Sequence, residues 1–252
     1  MSVLLSHQDG AVLTLTLNRP EVHNAFNAAL IAALHGAFSE VPADVRAIIL
    51  RGEGKSFCAG ADLTWMKEAS GYSHEENVAD AQRLSAMLNA IYQCPVPVIA
   101  DVHGAAYGGG VGLTACADIA IAKTGTKFML SEVRLGLTPA TISPFVLRAM
   151  GERVAMRYFV SAEAFGPDLA LRCGLLQGVD EDVDGVAKAI AANGPEAVQA
   201  AKALVRDFAG MPVDDALRDE TAERIAARRA SEEGREGIAA FLEKRSPAWR
   251  DA

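Results

Sequence analysis

The chain lacks the surplus of cations from which nucleic-acid binders draw their affinity for phosphate. It has 24 Lys and Arg against 32 Asp and Glu, a net charge of −8. A polyanionic ligand would have to meet a local basic patch. Cysteine is scarce: Cys58, Cys94, Cys116 and Cys173 stand far apart with no C-x-x-C spacing. That pattern excludes a disulfide framework and predicts buried free thiols in a reducing compartment. No apolar run reaches membrane-spanning length, and Met1 to Gly10 carries no basic leader, so neither a transmembrane segment nor a signal peptide is expected. The expected location is the cytoplasm. The five histidines show no metal-ligand spacing, and no metal is expected.

Two nucleotide-binding loops are missing as well, although fragments of both are present. Gly54-Lys55-Ser56 mimics the end of a P-loop, but the glycine required five positions earlier is Ile49. Gly52-x-Gly54-x-x-Phe57 likewise lacks the third glycine of a dinucleotide fingerprint.

What is present is ample apolar material, 50% of the residues, in an alternating pattern. Val12 to Leu17 alternates at period two and stops at Asn18-Arg19-Pro20, which predicts a strand. A helix is expected over Asn27 to Ser39, a strand over Ala47 to Arg51, and a helix over Glu75 to Gln93. A strand follows over Pro97 to Val102, a helix over Gly109 to Ala117, and strands over Asp118 to Ala122 and Lys127 to Leu130. Short strands alternating with helices make an α/β fold with right-handed parallel crossovers. From Pro144 the pattern predicts helix after helix and no further strand, punctuated by Gly151, Gly166-Pro167, Gly194-Pro195 and Gly210-Met211-Pro212. Residues 1–195 are expected to form the core and 196–252 a C-terminal helical region.

Chemistry concentrates at two strand-to-helix turns. Val102 to Leu113 contains Gly104, Gly108, Gly109, Gly110 and Gly112, so backbone amides at a helix start are open to a ligand atom. The earlier turn, Gly54 to Leu63, is built from similarly small residues. Two such turns can aim two N–H groups at one developing negative oxygen, while a nearby carboxylic acid moves a proton. Glu132 is the candidate acid.

These residues carry a resemblance. Asn18-Arg19-Pro20 through Asn24-Ala25, Ser56 through Leu63, Gly104 through Gly112, Cys116-Ala117-Asp118 and Glu132 through Gly136 are similar in order and spacing to the enoyl-CoA hydratase/isomerase (crotonase) superfamily, along nearly the whole chain. The resemblance implies a crotonase-like spiral of strand-strand-helix units. Its C-terminal helices would trimerise the chain into a homotrimer or a dimer of trimers. The substrate would be an acyl-CoA thioester, with coenzyme A as part of the substrate rather than a cofactor. It implies that the amides of Ala61 and Gly109 hold the thioester oxygen and that Glu132 exchanges a proton with the adjacent carbon. Lys55, Phe241 and Lys244 would meet the coenzyme A, the last two from a neighbouring subunit. Ala59, Asp62, Leu63 and Trp65, with Met66, would bind the substrate around the acyl pocket. The lysine usual after the Ala-Asp-Leu motif is here Thr64, which removes part of the phosphate contact.

One departure matters. Two-glutamate hydratases carry a second carboxylate where this chain has Gly112, and no other Asp or Glu lies between Gly104 and Ala117. Three readings follow. The first is a hydratase of branched, carboxylated enoyl-CoAs such as 3-methylglutaconyl-CoA, for which the strings at Gly110 to Leu113, Leu130 to Val133 and Thr138 to Pro144 speak. Here Gly112 would remove a repelling charge and make room. The second is a double-bond isomerase using Glu132 alone. The third is a catalytically silent acyl-CoA or RNA-binding paralogue, which the intact turns and the net acidity disfavour.

Overall fold

A computed structural model describes residues 2–250. The strands are β1 (Leu4–Asp9), β2 (Val12–Leu17), β3 (Ala47–Gly52), β4 (Val98–Val102), β5 (Ala105–Tyr107), β6 (Ile119–Ala122), β7 (Lys127–Met129) and β8 (Gly178–Val179). The helices are α1 (Ala28–Ser39), α2 (Leu63–Ala69), α3 (His74–Gln93), α4 (Gly109–Cys116), α5 (Ser143–Met150), α6 (Glu152–Ser161), α7 (Pro167–Arg172), α8 (Val183–Ala191), α9 (Pro195–Phe208), α10 (Asp215–Ala230) and α11 (Glu232–Glu243).

Six strands form one sheet in the order β1-β2-β3-β4-β6-β8, antiparallel at β1 and parallel elsewhere. Period-two alternation sorts its side chains onto two faces. Leu13, Leu15, Leu17, Ile48, Leu50, Val98, Ala100 and Val102 enter the large core shared with Leu30 and Leu34 of α1, Met87 and Leu88 of α3, and Val111 and Leu113 of α4. Val12, Ala47, Ile49, Ile99 and Ile121 face the other way, against Val183 and Ala187 of α8. Burial on both faces is why β3 reads as an unbroken apolar run.

Helix starts follow local chemistry. Asn27 caps α1 by accepting the Leu30 N–H at 2.9 Å, and Ser73 with Glu76 forms a reciprocal capping box on α3. Past Pro144 one expectation fails: Gly178 and Val179 extend the sheet, paired with Ile121 and Ala122. A two-residue strand has no periodicity to read, and only the neighbouring edge defines it. The terminal helices are tied to the rest by charge. Lys202 and Arg206 of α9 bind Asp118 at 2.6 and 2.9 Å, and Glu233 of α11 accepts the Glu196 and Ala197 amides at the start of α9.

Beside the main sheet, β5 and β7 pair in parallel, and Cys58 bridges to Ala106. This small second layer carries the two turns and the candidate acid.

Candidate active site

The first turn, between β3 and α2, is set by a polar brace. His23 and Asn24 both adopt left-handed backbone conformations, φ 54° and 56°, which bend the chain back toward the turn. The fully buried Asn24 amide donates to the carbonyls of Glu53 and Ser56, both at 2.8 Å, and accepts the Arg19 N–H at 2.8 Å. Ala59 donates its N–H to the His23 carbonyl at 2.9 Å. Around Ala61 the chain pairs with Phe26: the Phe26 N–H reaches the Gly60 carbonyl, and the Asp62 N–H reaches the Phe26 carbonyl. That register uses the groups on either side of Ala61 and leaves the Ala61 N–H without a backbone acceptor among the described residues.

The Asp62 carboxylate is consumed by this frame. One oxygen binds Arg19 at 2.6 Å and the other accepts the Thr64 N–H at 2.8 Å, capping α2. Burial would push its pKa up, but the Arg19 hydrogen bond and charge and the Thr64 amide win and hold it below the ordinary carboxylate range.

The second turn, between β5 and α4, is set by close approach instead. Gly108 sits at φ 49° and donates its N–H to the Met129 carbonyl at 2.8 Å. Gly109 begins α4, so its amide has no intrahelical acceptor. A Cβ on Gly109 would run into the Phe26 ring, and one on Gly110 into the Cys58 carbonyl oxygen. The two turns are therefore pressed backbone against backbone, through the Cys58 to Ala106 bridge.

Glu132 opens the 3-10 turn Glu132–Leu135 just after β7. Its Oε1 lies 2.9 Å from where a Gly108 Cβ would stand, so the carboxyl rests on the glycine backbone beside the Gly109 amide. Its Oε2 is buried with no hydrogen-bond partner. Burial raises its pKa above the ordinary carboxylate value, favouring the protonated acid.

Ala61, Gly109 and Glu132 line one cavity of about 300 Å³, together with Ala59, Leu63 and Trp65. Its polar side chains are Trp65, Ser131, Glu132, Thr138 and Thr141, and Glu132 is the one ionisable group. Among the described residues no cluster of three or more His, Cys, Asp or Glu could hold a metal.

Two of the expected site residues lie outside the cavity lining. Asp62 does not line the cavity; it belongs to the frame. Gly112 does not make room in the cavity either. It is buried, and its Cβ direction is filled by Ile142, with Cγ2 at 2.5 Å and Cβ at 3.0 Å. Ile142 lines the cavity, so an apolar side chain from the start of α5 occupies the place where a second acid would project. Lys55 is exposed on the first turn, and Phe241 and Lys244 at the end of α11 do not line the cavity of their own chain. Sequence reasoning missed Phe26 and Leu84 as cavity walls. The spacing of Leu84 from Leu88, which places both on one face of α3, was the available signal.

Comparison with known proteins agrees with this geometry. The family model for enoyl-CoA hydratase/isomerase matches residues 7–252. A solved chain from Legionella pneumophila, assigned to the enoyl-CoA hydratase/isomerase (crotonase) group, superposes with a TM-score of 0.95 at 43% identity, covering 99% of each chain. An enoyl-CoA hydratase from Shewanella pealeana superposes with a TM-score of 0.94 at 40% identity, covering 98% of this chain and 96% of that one. A crotonyl-CoA hydratase from Syntrophomonas wolfei is 32% identical over 96% of this chain and 95% of its own length. Two braced turns with open amides, a half-buried acid between them and a match along almost the entire length lead to one assignment: the chain belongs to the enoyl-CoA hydratase/isomerase family.

Proposed function

We propose that the protein is an enoyl-CoA hydratase that adds water across the 2,3-double bond, with Glu132 as its single acid–base group. The observation that carries this reading is the half-buried Glu132 carboxyl, its Oε2 covered and without a partner, beside two open amides. In this reading the Ala61 and Gly109 N–H groups hold the thioester oxygen as negative charge moves onto it. Protonated Glu132 gives its proton to C2 while water oxygen bonds to C3, and the second water proton returns to the other carboxyl oxygen. One side chain thus completes the cycle, and both new bonds form on the face it occupies. The absence of a second carboxyl does not break the proton balance.

The finer substrate reading is a short, branched and carboxylated enoyl group such as 3-methylglutaconyl-CoA. It is supported by the lack of any acid other than Glu132 on the wall and by the Thr138 and Thr141 hydroxyls there. Lys55 would meet the coenzyme A phosphates, with Phe241 and Lys244 supplied by a neighbouring subunit. Phe241 and Leu242 are 83% and 73% exposed, which fits helices that bury their apolar stripe in a homotrimer or a dimer of trimers. No described helix is long and apolar enough to cross a membrane. Four free cysteines, three of them buried, fit a reducing cytoplasm.

A second reading, double-bond isomerisation, is favoured by Ile142 in place of a second acid, since moving one proton between carbons needs only one carboxyl. Incubation with crotonyl-CoA, 3-methylglutaconyl-CoA and a 3-enoyl-CoA in ¹⁸O water separates the two: label enters a hydroxyl in hydration and nothing in isomerisation. Glu132→Gln is expected to lower turnover about 10³-fold while acyl-CoA binding persists. A mutant that keeps most of its rate removes Glu132 from the chemistry.

A further inference from the structure

Addition of water asks for one thing that the two amides and Glu132 do not supply, a group that holds the water with its oxygen toward C3. The space a second acid would enter is filled by Ile142, an apolar side chain. The residue just before it, Thr141, lines the same cavity.

The Thr141 hydroxyl is not spent on the fold. Hydroxyls at a helix start commonly cap it, but α5 begins without a side-chain cap. The turn before α5 is closed by Ser143, whose N–H and hydroxyl reach the Ala140 carbonyl at 3.3 and 2.8 Å. Thr141 is half-buried and its side chain makes no hydrogen bond among the described residues. Nor is its oxygen one of the sealed, unpartnered atoms, which are Trp65 Nε1, Asp101 Oδ1 and Glu132 Oε2. A hydroxyl that is neither paired nor sealed is open to a solvent molecule.

The turn also fixes the side on which that opening lies. Ala140 and Ser143 border a separate cleft along α5 and α6, whereas Thr141 and Ile142 border the active-site cavity. Residues three apart share one side of such a turn, so the two between them take the other. Ser131 lines the cavity with an unpaired hydroxyl as well. It stands beside the acid, whereas Thr141 stands beside the side chain that has taken the second acid's place.

We propose that Thr141 holds the water that adds to C3. Its oxygen accepts the hydrogen that stays in the product hydroxyl, which leaves a lone pair of the water for C3 and the other hydrogen for Glu132. The water oxygen bonds to C3, C2 takes the Glu132 proton, the π bond between the two carbons is lost, and the departing water proton returns to Glu132. Thr141 neither gains nor loses a proton, so Glu132 remains the single acid–base group. The proposal deepens the hydratase reading and rests on it. Thr138, which is exposed, is left for a polar group on the acyl chain.

Two reactions in one cavity separate a water holder from a packing residue. Hydration of crotonyl-CoA or 3-methylglutaconyl-CoA uses the water, whereas exchange of a C2 hydrogen of butyryl-CoA with D2O uses only Glu132 and the two amides. Thr141→Val, which keeps the branched shape and removes the hydroxyl, is expected to lower kcat for hydration about tenfold. The KM for the enoyl-CoA, the exchange rate and the melting temperature stay at wild-type values. Thr141→Ser, which returns the hydroxyl, restores most of the hydration rate.

Wild-type hydration in Thr141→Val overturns the proposal. An equal fall in hydration and exchange also overturns it, since that marks a packing role. The same holds if the selective loss of hydration appears in Ser131→Ala rather than in Thr141→Val. A wild-type protein that exchanges the butyryl-CoA hydrogen but hydrates neither enoyl-CoA overturns the hydratase reading itself, and the proposal falls with it.

Discussion

The two turns that present the amides do the same geometric job by opposite means. At Ala61 the backbone is held by side-chain polarity: Asn24 grips two carbonyls, and Asp62 spans Arg19 and the start of α2. At Gly109 there is almost no side chain, and the position comes from backbone lying on backbone and on the Phe26 ring. A polar brace tolerates changes in size but not in charge. A steric contact tolerates changes in charge elsewhere but not one added methyl group.

The largest expected effect breaks the steric side. Gly110→Ala would place its Cβ against the Cys58 carbonyl oxygen, a backbone atom already fixed by the Tyr107 N–H at 2.9 Å. It should cost about 3 kcal/mol in urea unfolding and abolish hydration. A stable, active Gly110→Ala protein would show that the two turns are not in tight contact.

The polar side should break more mildly and with a pH signature. Asp62→Asn keeps the shape and the cap but removes the charge facing Arg19, for about 2 kcal/mol at neutral pH. Because the folded-state pKa of Asp62 is depressed, its stabilisation is present above the unfolded carboxylate pKa and is lost as pH falls through the folded value. The difference between wild type and Asp62→Asn should therefore shrink in acid. A pH-independent difference would mean that the charge contributes nothing.

Glu132, between the turns, should titrate in the reverse sense. Its folded pKa is raised, so the stability tied to the protonated carboxyl is present below the unfolded pKa and fades as pH rises through the folded one. The hydration rate should fall over the same upper limb, at a pH above the ordinary glutamate range. A profile flat there, or Glu132→Gln no more stable than wild type at high pH, contradicts a buried acid.

The smallest effect concerns Gly112. Gly112→Ala meets the Ile142 side chain at Cγ2 and Cβ, and should cost about 1 kcal/mol. In the background of Ile142→Ala, which removes Cγ2 and keeps Cβ, the same substitution should lose much of that cost, a coupling of about 0.5 kcal/mol in a double-mutant cycle. Additive costs would show that Ile142 does not fill that space.

Much of this organisation was legible because it rests on periodicity and local chemistry. β2 matches its alternating run residue for residue, and Asn27 marks the start of α1. What was not legible depended on partners distant in sequence. β1, Leu4–Asp9, is mostly exposed and polar, and it is a strand because β2 offers its edge. β5 is three residues defined by β7 and Cys58. In the site, the spacing of Glu132, Ala61 and Gly109 carried the chemistry through the resemblance. The direction in which Gly112 faces, and the capture of Asp62 by Arg19, are consequences of packing across 30 and 43 residues. No single window of sequence contains them.

The meeting of Gly112 with Ile142 also constrains the order in which this site can change by descent. A glutamate introduced at position 112 while Ile142 remains would drive a charged chain into a filled space. A smaller residue at position 142 while Gly112 remains leaves only a hole, a milder and survivable lesion. A lineage passing between one acid and two must therefore traverse the cavity-bearing intermediate, trimming at 142 before building at 112, and filling at 142 only after 112 has been stripped. Relatives sampled along such a path should pair a small residue at 142 with either state at 112, and isoleucine at 142 with glycine alone.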